Sequence, residues 1–211
     1  MINATNSGNA KFLIPAGNYV ARCYSMVHIG TVIEEVMGME KSMNKVRITW
    51  ELPTELKVFD EVKGEQPMVI SKEYTLSMSE KSNLRKDLES WRGQGFSEEQ
   101  AKGFDITKLL SIPCMLNVIH KKTIKGADYA TISNISSVPK GLTCPKQVNP
   151  TFEWNFEDKW DEIALEEFPA FIKDKIKSSS EYKSLKSEII DIPEHDVEPE
   201  QDNVPDDLLP F

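Results

Sequence analysis

The sequence predicts a mainly β fold: a five-stranded Greek-key barrel with a helical insert between strands 3 and 4, then a C-terminal α arm and a disordered acidic tail. Three observations support this prediction. Apolar and polar residues alternate before residue 77 and after residue 113, which is the period of β-strands. Between those positions, apolar residues recur at the spacing of a helix. Beyond residue 187, acidic residues and prolines replace most of the apolar residues.

Three strands are predicted in the first half of the chain. The first, Asn18–Val36, is rich in β-branched and aromatic residues and contains Gly30, where we expect a bulge or a bend. A loop over Gly38–Asn44 leads to the second strand, Val46–Leu52, in which apolar and polar residues alternate strictly. Pro53 should end this strand, because proline has no N–H to donate to a neighbouring strand.

The third strand and the helical insert follow. Met68–Leu76 alternates again, and Ser77 with Glu80 three residues later has the spacing of a capping box, which predicts the start of a helix. Helical spacing of apolar residues then continues to Gly93, a residue type that commonly terminates helices. Shorter helical turns are predicted after Ser97 and Asp105.

Two further strands complete the body, which we place at residues 1–138. Cys114–Lys122 and Asp128–Val138 are both β-rich, and Lys125-Gly126 supplies a turn between them. An OB-fold has this order of elements: three strands, a helical insert and two more strands. Other small β-barrels, or an α+β sandwich, also fit this order.

Residues 139–187 are predicted to form a linker and an aromatic, helical arm. Pro, Gly and Lys dominate 139–150, which marks a boundary. Four aromatic residues between Phe152 and Trp160 are too many for a free linker, so the arm should pack on the barrel or on a second subunit. Pro169 fits the first turn of a helix that continues to Lys177.

Charge is distributed very unevenly along the 211 residues. The net charge is −9, but residues 1–150 carry 19 Lys and Arg against 16 Asp and Glu, a balance of +3. Residues 151–211 have a balance of −12, and 188–211 contain nine acidic and no basic residues. A mildly basic body permits nucleic-acid binding, whereas the acidic tail has too little apolar surface to fold by itself.

The last six residues form a motif: Asp206, Asp207, Leu208, Leu209, Pro210 and Phe211. This motif resembles the acidic tip of bacterial and phage single-stranded DNA-binding proteins, Asp-Asp-x-Ile-Pro-Phe, with Leu209 in place of the usual Ile. Lys72–Leu76 and Asn83–Gly93 are similar to segments of phage-encoded OB-type DNA-binding proteins. The resemblance implies an OB-fold body that holds single-stranded DNA and a tip that recruits replication and repair proteins.

Cations that neutralise phosphates and aromatic rings that stack on bases hold single strands. In an OB-fold these groups lie on strands 2 and 3 and on the loops joining strands 1–2 and 4–5. The candidates for phosphate contacts are Lys41, Lys45, Arg47, Lys72, Lys121, Lys122 and Lys125, and those for stacking are Tyr24, Tyr74 and Tyr129. Each tyrosine could instead belong to the core, and the scattered lysines to a solvated face. Three cations at one hairpin tip, 121–125, are the strongest signal.

Other function classes find little support in the sequence. It contains no phosphate-binding loop, no nucleophile elbow and no zinc-ligand spacing, so we expect no enzymatic activity, no cofactor and no metal. Three scattered cysteines and the absence of a long apolar run suit a cytoplasmic protein, in an infected host cell if the protein is phage-encoded.

The sequence therefore predicts a sequence-independent single-stranded DNA-binding protein that protects DNA during replication and recombination. Two alternatives remain. The first is an acidic protein-interaction or DNA-mimic module that does not bind DNA. The second is a metal-dependent nuclease, for which Glu34-Glu35 and Glu98-Glu99 would be candidate ligands. The sequence does not decide whether the protein is a homo-oligomer.

Overall fold

Five antiparallel strands form a curled sheet in the computed structural model, which describes residues 13–157 and 160–190. They are β1 (Gly17–Val36), β2 (Met39–Asp60), β3 (Gly64–Thr75), β4 (Pro113–Lys122) and β5 (Asp128–Ser136). Their order in the sheet is β3-β2-β1-β4-β5. The prediction of a mainly β, barrel-like fold is confirmed to this extent.

The sheet curls because each long strand changes its partner along its length. Residues 17–22 of β1 pair with β4, whereas residues 22–36 pair with β2 on the other side. Register shifts at Cys23/Ser25 and at His28/Gly30 add bulges to β1, and bulges increase strand bending. The edge strands β3 and β5 are thereby brought into contact, although no ladder joins them in the described part of the chain.

The first hairpin is longer than the sequence predicts. The predicted loop Gly38–Asn44 is wrong, because β2 begins at Met39. A two-residue turn makes this extension possible: Met37 and Gly38 have φ of 55° and 75°, the left-handed values that match the twist of a hairpin.

The second strand also continues past its predicted end. Pro53 does not terminate β2, which runs on to Asp60 and pairs with β3 as far as Gly64. The register shifts between Leu52 and Leu56, so the proline lies in an irregularity where its missing N–H breaks no ladder bond. The long β2–β3 hairpin that results carries several exposed apolar side chains.

Helices α1 (Asn83–Arg92) and α2 (Glu98–Ala101) and a 3₁₀ turn (Ile106–Leu109) lie between β3 and β4 in the chain. The predicted start of α1 at Ser77 is wrong: Ser82 is the N-cap and accepts a bond from the Arg85 backbone N–H. The predicted end is confirmed, because Gly93 adopts the left-handed conformation with φ of 69°. The caps at Ser97 and Asp105 are confirmed as well.

The inner face of the sheet, together with α1, encloses the main core, which we call the inner cluster. Alternate residues of β2, Ile48, Trp50 and Leu52, are almost fully buried there. Trp50 lies 5.9 Å from Trp91 of α1 between ring centroids, and Leu88 fills the same layer. Alternate residues of the strands and one face of the helix, on which apolar residues recur about every 3.6 positions, thus pack together in the same core.

The C-terminal arm packs against the outer face of β1. It consists of β6 (Phe152–Trp154), α3 (Glu162–Glu167), α4 (Ala170–Ser178) and α5 (Ser180–Ile190). β6 pairs in parallel with β1 over Ser25–Val27. Buried residues of β1 and of the arm form the outer cluster: Val27, Ile29, Val32, Trp154, Leu165, Ile172 and Ile176.

Helix α5 reaches Ile190, so it includes the first three residues of the predicted acidic tail. The rest of that tail, with the tip Asp206–Phe211, lies outside the described residues. No helix in the described part of the chain is long and apolar enough to cross a membrane.

Candidate nucleic-acid interface

A cleft of about 450 Å³ lies where β3 faces the start of β5 across the open side of the sheet. Two aromatic side chains in its lining are exposed: Phe59, from the end of β2, by 60% and Tyr129, from β5, by 40%. The side chain of Arg47 also lines it, and Val69 adds an apolar wall. We call this region the aromatic cleft. It offers two ring faces and a cation to an extended ligand.

The basic β4–β5 hairpin tip lies beside the aromatic cleft. Lys121 is directly opposite Tyr129 in the antiparallel register, so the cation and the ring lie next to each other. Lys125 and Lys121 are exposed and have no ion pair with a described residue, while Lys122 lies 3.0 Å from Asp128 in an exposed pair. Such a pair contributes little, so the tip retains its positive charge.

The tight turn of this hairpin presents the lysines to solvent. The Thr123 N–H donates to the Ala127 carbonyl at 2.8 Å, and the Gly126 N–H donates to the Thr123 carbonyl at 2.9 Å. Gly126 has φ of 83°, which favours glycine at this position. The backbone is therefore held by its own bonds, and the lysine side chains are not needed to form the turn.

Arg47 is the predicted phosphate contact that lies in the cleft, but it is not unpaired. Its guanidinium lies 3.2 Å from the Glu73 carboxylate and 5.2 Å above the ring of Phe171 in α4. Arginine has five N–H donors, so one carboxylate leaves others for a ligand. The pair fixes the orientation of the guanidinium at the wall of the cleft.

Tyr74 does not offer a stacking surface. The side chain is only 3% exposed, belongs to the inner cluster, and donates its hydroxyl to Asp87 Oδ2 at 2.7 Å. Burial, followed by the nearby Asp87 charge, raises the pKa of Tyr74 far above its ordinary value. The prediction that it stacks on a base is therefore wrong. The same carboxylate binds Lys72 Nζ at 2.6 Å.

Tyr24 is half-buried in a bulge of β1 and is not part of the cleft lining. Burial raises its pKa, and the nearby Glu51 raises it further. The Glu51 carboxylate is itself buried and accepts bonds of 2.8 Å from the backbone N–H groups of Val148 and Asn149. These bonds fasten the segment after β5 over the outer face, beside Tyr24.

Lys45 and Lys41 lie along the β1–β2 hairpin rather than in the aromatic cleft. Lys45 Nζ is 2.6 Å from Glu34, which also binds Lys175 of α4 at 2.6 Å. Burial acts to raise the pKa of Glu34, but the bonds from both lysines outweigh it and hold that pKa below its ordinary value. Lys41 is exposed and lies opposite Glu34 in the register.

Two aromatic residues near the cleft, Phe59 and Phe171, were missed by reasoning from the sequence. The sequence predicts a loop at Phe59, because Pro53 should end the second strand. A signal is present, since Glu55-Leu56-Lys57-Val58 alternates like a strand and leads directly to the aromatic ring of Phe59. Phe171, 59% exposed, is placed beside Arg47 only by the docking of α4, which no local pattern predicts.

The described residues form neither a metal-binding site nor a reactive cysteine site. No group of three or more His, Cys, Asp or Glu side chains there could hold a metal ion. Cys23, Cys114 and Cys144 are buried and free, and burial raises the pKa of each thiol. Thiols in this state are poor nucleophiles.

No family model matches the chain, and no curated protein or solved structure matches it either.

Proposed function

We propose that the protein binds single-stranded DNA without reading its sequence, and that the aromatic cleft and the basic hairpin tip form the binding surface. The observation that carries this proposal is the convergence of Phe59, Tyr129 and Arg47 in one cleft beside Lys121. Every base has a face that can stack on an aromatic ring, and every nucleotide has a phosphate for a cation. The surface therefore suits any single strand.

We also assign the sheet to the OB-type barrels, with α1 and α2 as the insert between strands 3 and 4. The strand order β3-β2-β1-β4-β5, with β1 pairing with both β2 and β4, supports this assignment. OB-folds bind oligonucleotides on strands 2 and 3 and with the loops joining strands 1–2 and 4–5. The aromatic cleft contains residues of β2, β3 and β5, and the basic tip is the loop between β4 and β5, which supports the assignment.

Stacking and phosphate neutralisation have separate roles in the proposed mechanism. A base on Tyr129 or Phe59 would contribute about 1–3 kcal/mol, as measured for alanine substitutions at other single-strand sites. The lysines of the tip would release counterions from the strand, which makes affinity fall as salt rises. A duplex keeps its bases stacked within the helix, so only the second contribution remains for it.

The acidic tip completes the proposed function. Leu208, Leu209 and Phe211 would fill a small apolar pocket on a replication or repair protein, and Asp206 and Asp207 would pair with cations around it. Tip and body act independently in this proposal. Phe211→Ala should abolish capture of replication proteins and leave DNA affinity unchanged, which a pull-down with parallel DNA titrations measures.

The decisive experiment is a titration of the full chain against fluorescent oligo-dT at several salt concentrations, with a duplex of equal length as the comparison. We expect tighter binding of the single strand and an affinity that falls as salt rises. Equal affinity for both DNAs, or binding that ignores salt, would contradict the proposal. In that case a protein-interaction module without DNA binding would be the better interpretation.

A further inference from the structure

A second cleft, of about 430 Å³, lies at the other end of β3. Lys45, Lys72 and Lys81 line it, together with Ser77, Ser79 and Ser82. We call it the lysine pocket. Residues 68–71 of β3 line the aromatic cleft and residues 72–75 line the lysine pocket. Four residues of a strand span about 13 Å, so the two sites are continuous along one edge.

The lysine pocket has excess positive charge after its ion pairs are counted. Lys45 and Lys72 each bind one carboxylate at 2.6 Å, Glu34 and Asp87 respectively. Glu73, the acidic residue in the lining, is already shared between Arg47 and Lys175. The group comprises the cations Lys45, Arg47, Lys72, Lys81 and Lys175 and the anions Glu34, Glu73 and Asp87, which leaves a net charge of +2.

Donors remain available for an anion. Each lysine ammonium has three N–H groups, so the single carboxylate bound by Lys45 and by Lys72 leaves others free. Lys81 is exposed and has no ion pair with a described residue. The first turn of α1 borders the pocket and has no acidic side chain, so the helix dipole adds to the positive potential there. A phosphate group fits this combination of cations and a helix N-terminus.

We infer that the lysine pocket binds a backbone phosphate of the same DNA strand whose bases stack in the aromatic cleft. This inference rests on the proposed function and extends it. The strand would run along β3, from the basic tip and the aromatic cleft towards the start of α1. Lys81 would be its outermost phosphate contact.

Lys81→Ala is the sharpest test, since the side chain is exposed and its loss removes no packing. Titrations of dT16 at several salt concentrations give the slope of log affinity against log salt. Loss of one phosphate contact should make this slope less steep by about 0.7, the value for single strands. Lys140→Ala removes an equally exposed lysine of the loop after β5 and should leave the slope unchanged. Lys81→Arg should restore it.

The outcomes separate this inference from the proposed function. If the wild-type protein binds dT16 and Lys81→Ala has the same slope as Lys140→Ala, the lysine pocket is not on the strand path. If the wild-type protein does not bind dT16 at all, the proposed function itself fails, and the inference with it. A reduced slope that Lys81→Arg restores supports both.

Discussion

The two faces of β1 contact two hydrophobic clusters that are built in different ways. The inner cluster is closed by hydrogen-bonded strands and by α1, and its members lie at alternate positions of those strands. The outer cluster is closed by the arm, whose three helices join the sheet through side chains and one short strand, β6. The inner cluster therefore depends on the whole ladder, whereas the outer cluster depends mainly on side-chain packing between the arm and β1.

Two polar contacts also attach the arm to the sheet. Glu181 of α5 accepts a bond of 2.6 Å from the Thr31 backbone N–H and one of 2.7 Å from the Thr31 hydroxyl. Lys175 of α4 bridges Glu34 of β1 and Glu73 of β3. A segment that shares few backbone hydrogen bonds with the sheet can open without unfolding it, since local opening free energies vary widely within one protein.

The largest effect is expected in the inner cluster. Trp50 is fully buried and packs on Trp91, so Trp50→Ala removes a large side chain from the centre of the core. The free energy of unfolding should fall by about 3–5 kcal/mol, the usual range for such truncations. Urea denaturation followed by circular dichroism measures the change. A loss below about 1 kcal/mol would show that this core collapses around the cavity.

An intermediate effect, confined to the arm, is expected at Gly30. It has φ of 88°, and an added Cβ would lie 2.8 Å from Glu181 Oε2, 2.8 Å from Ser179 Cβ and 2.9 Å from Phe156 Cε2. Gly30→Ala should therefore displace α5, with about 1–3 kcal/mol lost through backbone strain and a further loss through these contacts. Hydrogen exchange of the α4 and α5 amides should accelerate more than that of β2.

Gly38→Ala is the matched control for Gly30→Ala. Gly38 has φ of 75°, but among the described residues an added Cβ there would meet no atom within 4 Å other than those of its chain neighbours. It carries a similar backbone strain without touching the arm, so exchange in α4 and α5 should stay at the wild-type rate. Equal acceleration in both variants would attribute the effect to the β1 backbone and not to the docking of the arm.

A smaller effect on the arm should appear at acidic pH. Burial acts to raise the pKa of Glu181, but the bonds from Thr31 outweigh it and bring the pKa below its ordinary value of 4.5. Such a carboxyl stabilises the folded state fully above pH 4.5, and this stabilisation is lost as the pH falls through the lowered pKa. Glu34 shifts in the same direction, with Lys175 and Lys45 as its partners.

Amide chemical shifts of α4 and α5, followed from pH 6 to pH 3, test this dependence. They should change before the shifts of residues 46–52 in β2, because the arm is anchored by these carboxylates. Glu181→Gln should remove part of the dependence between pH 4.5 and pH 3. Simultaneous changes in β2 and in the arm would mean that both clusters open as one unit.

The smallest effect on stability is expected at the aromatic cleft, outside both clusters. Tyr129→Ala should change the free energy of unfolding by less than about 0.5 kcal/mol, as is usual for surface substitutions. It should nevertheless weaken oligo-dT binding by about 1–3 kcal/mol. Tyr182→Ala is a useful comparison, because Tyr182 packs on the outer cluster. This substitution should reduce stability without a direct effect on DNA affinity.

Much of the inner cluster could be predicted from the sequence, and much of the candidate site could not. The alternation over Val46–Leu52 indicates which side chains point inward, and the apolar ones are buried in the structure. Tyr74 continues the same alternation, but the sequence also allows it to stack on a base, because a tyrosine ring can either pack in a core or lie exposed with its hydroxyl in water. Its hydroxyl is bound by Asp87 of α1 within the inner cluster, and a pattern within β3 does not reveal that partner.

The sequence by itself determined the local periods: strands that alternate, caps at Ser97 and Asp105, the end of α1 at Gly93, and aromatic residues too numerous for a free linker. Only the tertiary structure decided which surfaces meet. The curl of the sheet brings Phe59 to Tyr129, and the docking of α4 brings Phe171 to Arg47. The physical reason is the distance along the chain over which each interaction acts. Periodicity follows from backbone geometry over a few residues. The contacts between surfaces depend instead on strand register, bulges and packing between segments that are distant in the sequence.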